Sequence, residues 1–167
     1  MEFTARKTAL FSRGEFVGIL DEQQSFALDI LQDEIRLAVI PVNSGDVHYT
    51  LGLKSTKADT KLKVNAGVPQ LTLKFSAKAQ IQGKASVLDP SSTANDDVVS
   101  PEVLKSAEEE VQKRLEALVK VCAESDCDVL GVKELLYKYN HKYFEAFDND
   151  ILTRMQVKYE IKINSVN

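Results

Sequence analysis

The chain has 167 residues, 44% of them apolar and 28% charged, with a net charge of -4 and a pI near 5.3. That length and apolar fraction suffice for one compact domain spanning residues 1–167, and the acidic balance argues against a nucleic-acid binder that works through overall basicity. No apolar run approaches the roughly 20 residues that span a bilayer, and the N-terminus lacks the apolar stretch of a signal peptide.

Residues 8–11 and 16–20 flank the polar, glycine-bearing Ser12-Arg13-Gly14-Glu15 and predict a short hairpin. Asp21 and Gln24 then make a capping box for a helix from about 22 to 33. The β-branched run from Leu37 to Val42 predicts a strand, and Pro41 places it at an edge or a strand end. After the turn Asn43-Ser44-Gly45-Asp46, Val47, Tyr49, Leu51 and Leu53 alternate with polar residues, a strand with one wet face. Residues 55–61 break that alternation and are expected as a polar interval before Leu62-Lys63-Val64. The turn Asn65-Ala66-Gly67 leads to the cleanest strand pattern, residues 70–82, with Lys74 and Lys78 on its polar side.

The polar, proline-bearing stretch at about 88–99 predicts a mobile surface loop. Ser100 as cap and Pro101 at the first position open a helix to about Ala123. Its apolar stripe runs through Leu104, Ala107, Val111, Leu115, Leu118, Val119 and Cys122. The charges Glu108-Glu109-Glu110 and Lys113-Arg114 are expected on a solvated face, with pairs four residues apart. Residues 128–139 form a further helical segment burying Val129, Leu130, Val132, Leu135, Leu136 and Tyr139, and another turn or two follows from His141 to Phe147. Asp148-Asn149-Asp150 ends the helices, and residues 152–164 alternate as a half-buried strand with Lys158 and Lys162 on the polar side. Strands gather in the first half and helices in the second, so the class is α+β, an antiparallel or mixed β-sheet with helices packed on one face. The two long alternating strands are natural neighbours.

A search for catalytic chemistry is negative. Glycine-rich phosphate loops, a Gly-x-Ser-x-Gly elbow and His-Glu-x-x-His are missing, and His48 and His141 lack companions at metal-ligand spacing, so both read as surface or hydrogen-bonded histidines. Asp148-Asn149-Asp150 lacks the remainder of a calcium loop. Cys122 reads as a packing thiol and Cys127 as a loop thiol, the alternative being a labile disulfide closing the helix end. No enzyme, metal or cofactor is expected. One positive feature stands out: pairing the two long strands would gather Lys74, Lys78, Lys158 and Lys162 into a basic patch on an acidic protein, a surface for anionic lipid headgroups or an acidic partner.

Asp128-Val129-Leu130-Gly131, followed by Leu135-Leu136-Tyr137-Lys138-Tyr139 and a strand that alternates to the C-terminus, resembles the C-terminal domain of the Ger(x)C family. These are the C subunits of bacterial spore germinant receptors. The likeness extends upstream through residues 101–124 and 61–82 to Phe16-Val17-Gly18-Ile19-Leu20; Lys133, the stretch 140–144 and the ending Asn164-Ser165-Val166-Asn167 depart from the family's usual residues. The resemblance implies a non-enzymatic receptor subunit in nutrient-induced germination. It implies a lipoprotein held at the outer face of the spore inner membrane through a lipidated cysteine outside this chain, acting with integral-membrane subunits. On that reading the fragment is itself soluble and monomeric, and its contact surface lies around Gly131, Tyr137 and Tyr139 or on the open sheet face. The alternative is a module that binds the germinant directly.

Overall fold

The computed structural model describes residues 8–32, 37–86 and 98–166. The expected loop at about 88–99 falls outside them except for its last two residues, as does the end of the first helix beyond Gln32. Strands β1 (Ala9–Ser12) and β2 (Glu15–Ile19) form the expected hairpin, and helix α1 (Glu22–Leu31) follows. Its capping box is complete: Asp21 Oδ1 accepts from the Gln24 N–H at 2.8 Å, and Gln24 Oε1 accepts from the Asp21 N–H at 2.9 Å.

Strands β3 (Leu37–Ser44), β4 (Val47–Asn65), β5 (Val68–Ser86) and β6 (Gln156–Ser165) make one mixed sheet in that spatial order. The first two pairings are antiparallel and β5–β6 is parallel, with Leu73 opposite Tyr159 and Phe75 opposite Ile161. Parallel neighbours need a long crossover. Here it is the whole helical second half: α2 (Pro101–Ser125), α3 (Val132–Tyr139), a 3-10 turn at His141–Tyr143, α4 (Phe144–Phe147) and α5 (Ile151–Arg154).

The expected polar interval at 55–61 is instead the middle of β4. A bulge shifts the β4–β5 register between Lys54 and Lys57, and Ser55 takes a positive φ of 52°. The extra residue inverts the alternation, so even-numbered Lys54 and odd-numbered Lys57, Asp59, Lys61 and Lys63 share one exposed face. The break in periodicity marks a bulge within the strand. Similarly, the last strand begins at Gln156 and not at Leu152, because Leu152 is buried within the helical turn α5.

One face of the sheet is covered. Leu51, Leu53, Phe75, Ala77, Ala79 and Ile163 meet α1 and α2 through Ala27, Ile30, Val111, Leu115 and Leu118. Toward the β4–β5 turn, Leu62, Leu71 and Leu73 meet Val132, Leu136, Phe147, Ile151 and Leu152. Two backbone groups at the sheet's edges are met by side chains. Ile163 N–H of β6 donates to Glu108 Oε1 at 2.9 Å, and Asn140 Nδ2 donates to the Leu62 carbonyl of β4 at 3.1 Å.

Part of the charged face expected on α2 therefore points inward. Arg114 is buried, stacked over the Phe26 ring of α1 at 4.6 Å and paired with Glu110 at 2.9 Å, because α1 covers the turn where it sits. Tyr139, expected in the core, is exposed, since Leu136 takes the inward position of that helix. Cys122 and Cys127 are free and both buried. Cys127 Sγ donates to the Phe11 carbonyl at 3.2 Å, and burial pushes the Cys122 thiol up to about 12.

Arg114→Ala should cost about 1–2 kcal/mol through lost stacking and packing, while Lys113→Ala on the exposed side should stay within about 0.5 kcal/mol. Urea unfolding measures both; equal effects would contradict the inward placement.

Candidate interaction surface

The sheet face opposite the helices has no cover among the described residues, and its residues stand in transverse rows set by register. One row reads Lys61–Thr72–Lys158, the next Asp59–Lys74–Glu160, the next Lys57–Ser76–Lys162. Beyond these, Lys54 lies opposite Lys78, with Asn164 on the far side. The four lysines expected as a patch, Lys74, Lys78, Lys158 and Lys162, all stand exposed on this face. Four more come from β4: Lys54, Lys57, Lys61 and Lys63. Lys54 falls on the wet side of the strand expected from Val47, whereas the bulge disguises the alternation of Lys57, Lys61 and Lys63. The odd-numbered run Lys57, Asp59, Lys61, Lys63 was the available signal.

The patch is partly neutralised at its centre. Glu160 pairs with Lys74 at 2.7 Å and with Lys158 at 2.8 Å, and Asp59 pairs with Lys61 at 2.8 Å. The hydrogen bonds from Lys158 and Lys74 hold the Glu160 carboxyl down at about 2, and the same contact raises Lys74. The remaining five, Lys54, Lys57, Lys63, Lys78 and Lys162, have no carboxylate in ion-pair distance among the described residues.

The second expected surface splits in two. Gly131 serves the fold itself. It sits at φ 69°, ψ 27°, and the turn it makes lets Asp128 cap α3, Oδ1 accepting from the Val132 N–H at 2.8 Å and Oδ2 from the Lys133 N–H at 2.7 Å. The helix thus starts at Val132, and the Asp-x-x-Gly motif is its cap. Tyr137 and Tyr139 lie toward the other end of α3, 55% and 74% exposed. Tyr137 packs beside His141 and Phe144, with ring centroids at 4.8 and 5.3 Å. Tyr139 lines an open hollow of about 430 Å³ together with Leu135, Leu62, Asp59, Lys61 and Lys63. The tyrosine end of α3 therefore meets the lysine face at the free edge of β4, while Gly131 stands apart from it.

No group of three or more His, Cys, Asp or Glu gathers among the described residues, and no described helix is long and apolar enough to cross a membrane. His48 Nδ1 lies 2.6 Å from Asn43 Oδ1 across the β3–β4 hairpin, and His141 belongs to the aromatic group above.

Comparison with known proteins follows the same outline. A family model described as spore germination B3/GerAC like, C-terminal, matches residues 6–166. No curated protein matches the chain. Among solved structures, the crystal structure of the GerBC protein is similar with a TM-score of 0.70 over 92% of this chain, at 16% sequence identity. The likeness establishes the fold, and the chain spans 48% of that protein's length.

Gly131→Ala should destabilise by about 1–2 kcal/mol, the left-handed cost for a residue with a Cβ, and Asp128→Ala by about 1 kcal/mol, the value of a cap; urea midpoints measure both. The Glu160 carboxyl should titrate near 2 by NMR instead of near its ordinary 4.5. Its pKa is lowered by folding, so its contribution to stability is present above 4.5 and lost as pH falls toward 2. Lys158→Gln should move the midpoint upward; an unmoved midpoint would contradict the pairing.

Proposed function

The chain belongs to the spore germination B3/GerAC-like C-terminal family, and on that premise we propose that it is a non-enzymatic part of a bacterial spore germinant receptor. It takes part in nutrient-induced germination as a domain of the receptor's C subunit, through protein–protein or membrane-surface contacts. The observation that carries this reading is the family match across residues 6–166. The fold shared with GerBC supports it.

On this reading residues 1–167 form one α+β domain of a longer lipoprotein. A lipid anchor outside the chain holds it at the outer face of the spore inner membrane, beside the receptor's integral-membrane subunits. The tyrosine end of α3 is the protein contact: Tyr137 and Tyr139 are exposed aromatics on a short helix whose start is fixed by the Asp128 cap. Exposed aromatics on a rigid support are the residues that anchor interfaces.

A second reading, direct binding of a small germinant, is favoured by one observation. The hollow between Tyr139, Leu135 and the β4 edge combines apolar walls with Asp59, Lys61 and Lys63, groups that could take a zwitterion. A ligand bound there at about 100 times its Kd should stabilise the domain by roughly 2.7 kcal/mol, which a thermal-shift screen of amino acids, sugars and nucleosides would detect.

The test of the leading reading uses the full-length protein in spores. Tyr137→Ala with Tyr139→Ala should reduce co-purification of the integral-membrane subunits roughly tenfold or more and slow nutrient-induced germination, while circular dichroism shows the purified domain still folded and Tyr139→Ala alone, which breaks no ring contact, shows the same direction of effect. Normal assembly and germination would refute the role given to α3.

A further inference from the structure

The open sheet face holds more positive charge than folding accounts for. Its central row, Asp59–Lys74–Glu160, is compensated internally. The row Lys57–Ser76–Lys162 is different: two lysines flank one hydroxyl, and neither has a carboxylate in ion-pair distance among the described residues. In the next row Lys54 and Lys78 stand directly opposite each other on adjacent antiparallel strands. Like charges so placed destabilise a sheet, so this pair works against folding and calls for an anion from outside.

The distribution of charge gives the face a direction. The chain carries a net -4, yet among the described residues this face presents its lysines against only two carboxylates, Asp59 and Glu160. Exposed glutamates such as Glu102, Glu109, Glu116 and Glu124 lie on α2, which packs on the other side of the sheet. A helix layer of about 10 Å separates the two sides, comparable with the Debye length of about 10 Å at 0.1 M salt. An anionic surface therefore meets attraction from the sheet side and repulsion from the helix side, and the molecule can approach it in one orientation only.

Spacing and composition select the kind of surface. Strands lie about 4.8 Å apart and alternate residues about 7 Å apart along a strand. Lys57 and Lys162, two strands apart, are thus separated by roughly 10 Å, and the uncompensated lysines run on from Lys54 to Lys63, several headgroups across. One small ligand cannot span that array. Protein interfaces are enriched in aromatic residues, Met and Arg and depleted in Lys, and single-stranded nucleic acids are held by aromatic stacking; the outward positions of β4, β5 and β6 in these rows hold no Arg, Met or aromatic residue. A diffuse lysine array meets a membrane's surface potential well, since it needs no fixed partner geometry. Leu37 and Val39 on the same face, 51% and 48% exposed at the β3 edge, offer apolar contact to the headgroup region.

We propose that the open face of the sheet docks the domain, helices outward, onto an anionic phospholipid bilayer, with the Lys57–Ser76–Lys162 row and the Lys54–Lys78 pair as its principal contacts. This inference stands on the face itself and not on the germination reading. Testing it requires no other receptor subunit, so its failure leaves that reading untouched.

The experiment is co-sedimentation of the 167-residue chain with vesicles of equimolar phosphatidylglycerol and phosphatidylcholine, and with vesicles of phosphatidylcholine alone. Binding to the anionic vesicles alone is expected at about 0.01 M ionic strength, weakening strongly by about 0.15 M as the Debye length falls from about 30 to 8 Å. K57Q/K162Q and K54Q/K78Q should each bind roughly thirtyfold more weakly. K105Q/K120Q, the same change in charge placed on α2, should stay close to wild type. All six lysines are exposed, and circular dichroism confirms folding of each variant. Equal binding to both vesicle types, no binding, or equal losses in the sheet and helix variants would overturn the proposal. So would binding to poly-glutamate that anionic vesicles do not match, which would assign the face to an acidic protein.

Discussion

The parallel pairing of β5 with β6 is the constraint on which the rest of the molecule depends. It joins a strand ending at Ser86 to one starting at Gln156, and the helices α2 to α5 described between them serve as the crossover and pack on one side of the sheet. α2 is long because it has that face to cover. The same register fixes both surfaces at once: Leu71, Leu73, Phe75 and Ala77 are aligned with Val157, Tyr159, Ile161 and Ile163 toward the helices, and Lys74 is thereby aligned with Glu160 on the far side. A one-residue slip would bury the lysines and expose the core.

The core explains the covered face, and the open face is shaped by a different balance. Glu160 gathers Lys74 and Lys158 and ties β5 to β6, although exposed ion pairs of this kind add little stability. Beyond that row the sheet keeps uncompensated lysines, including two set directly opposite each other. A sequence selected for folding alone would place opposite charges there. The bulge at Ser55 matters for the same reason, since it turns the second half of β4 so that its lysines join those of β5 and β6. At the free edge of β4, Asn140 and Tyr139 of α3 adjoin that face, so the protein contact and the charged contact proposed for this domain are neighbours.

Much of this could be read from the chain. Alternation at 70–82 and 156–164, the Asp21–Gln24 capping box, Ser100 before Pro101 and the Asn65-Ala66-Gly67 turn each state a local physical preference that the fold keeps. The misreadings share a cause, namely features whose meaning depends on a neighbour distant in sequence. The bulge at residues 55–56 is defined only against β5. Arg114 is buried only because Phe26 covers it, and Glu108 is engaged only because β6 ends beside it. The bulge hides that Lys57, Lys61 and Lys63 belong to the open face, and the capping role of Asp128 requires coordinates to separate a structural motif from a contact site.

The helices close one face of the sheet, and the membrane contact proposed above is the lysine face they leave open. Lysine acetylation read by mass spectrometry, on the isolated domain and on the full-length protein in spore membranes, distinguishes a covered face from a bare one. Lys57, Lys78 and Lys162 should be labelled in the isolated domain and protected in the membrane-bound protein, while Lys105 and Lys120 on α2 stay labelled in both. Full labelling of the sheet lysines in the membrane-bound protein would contradict it.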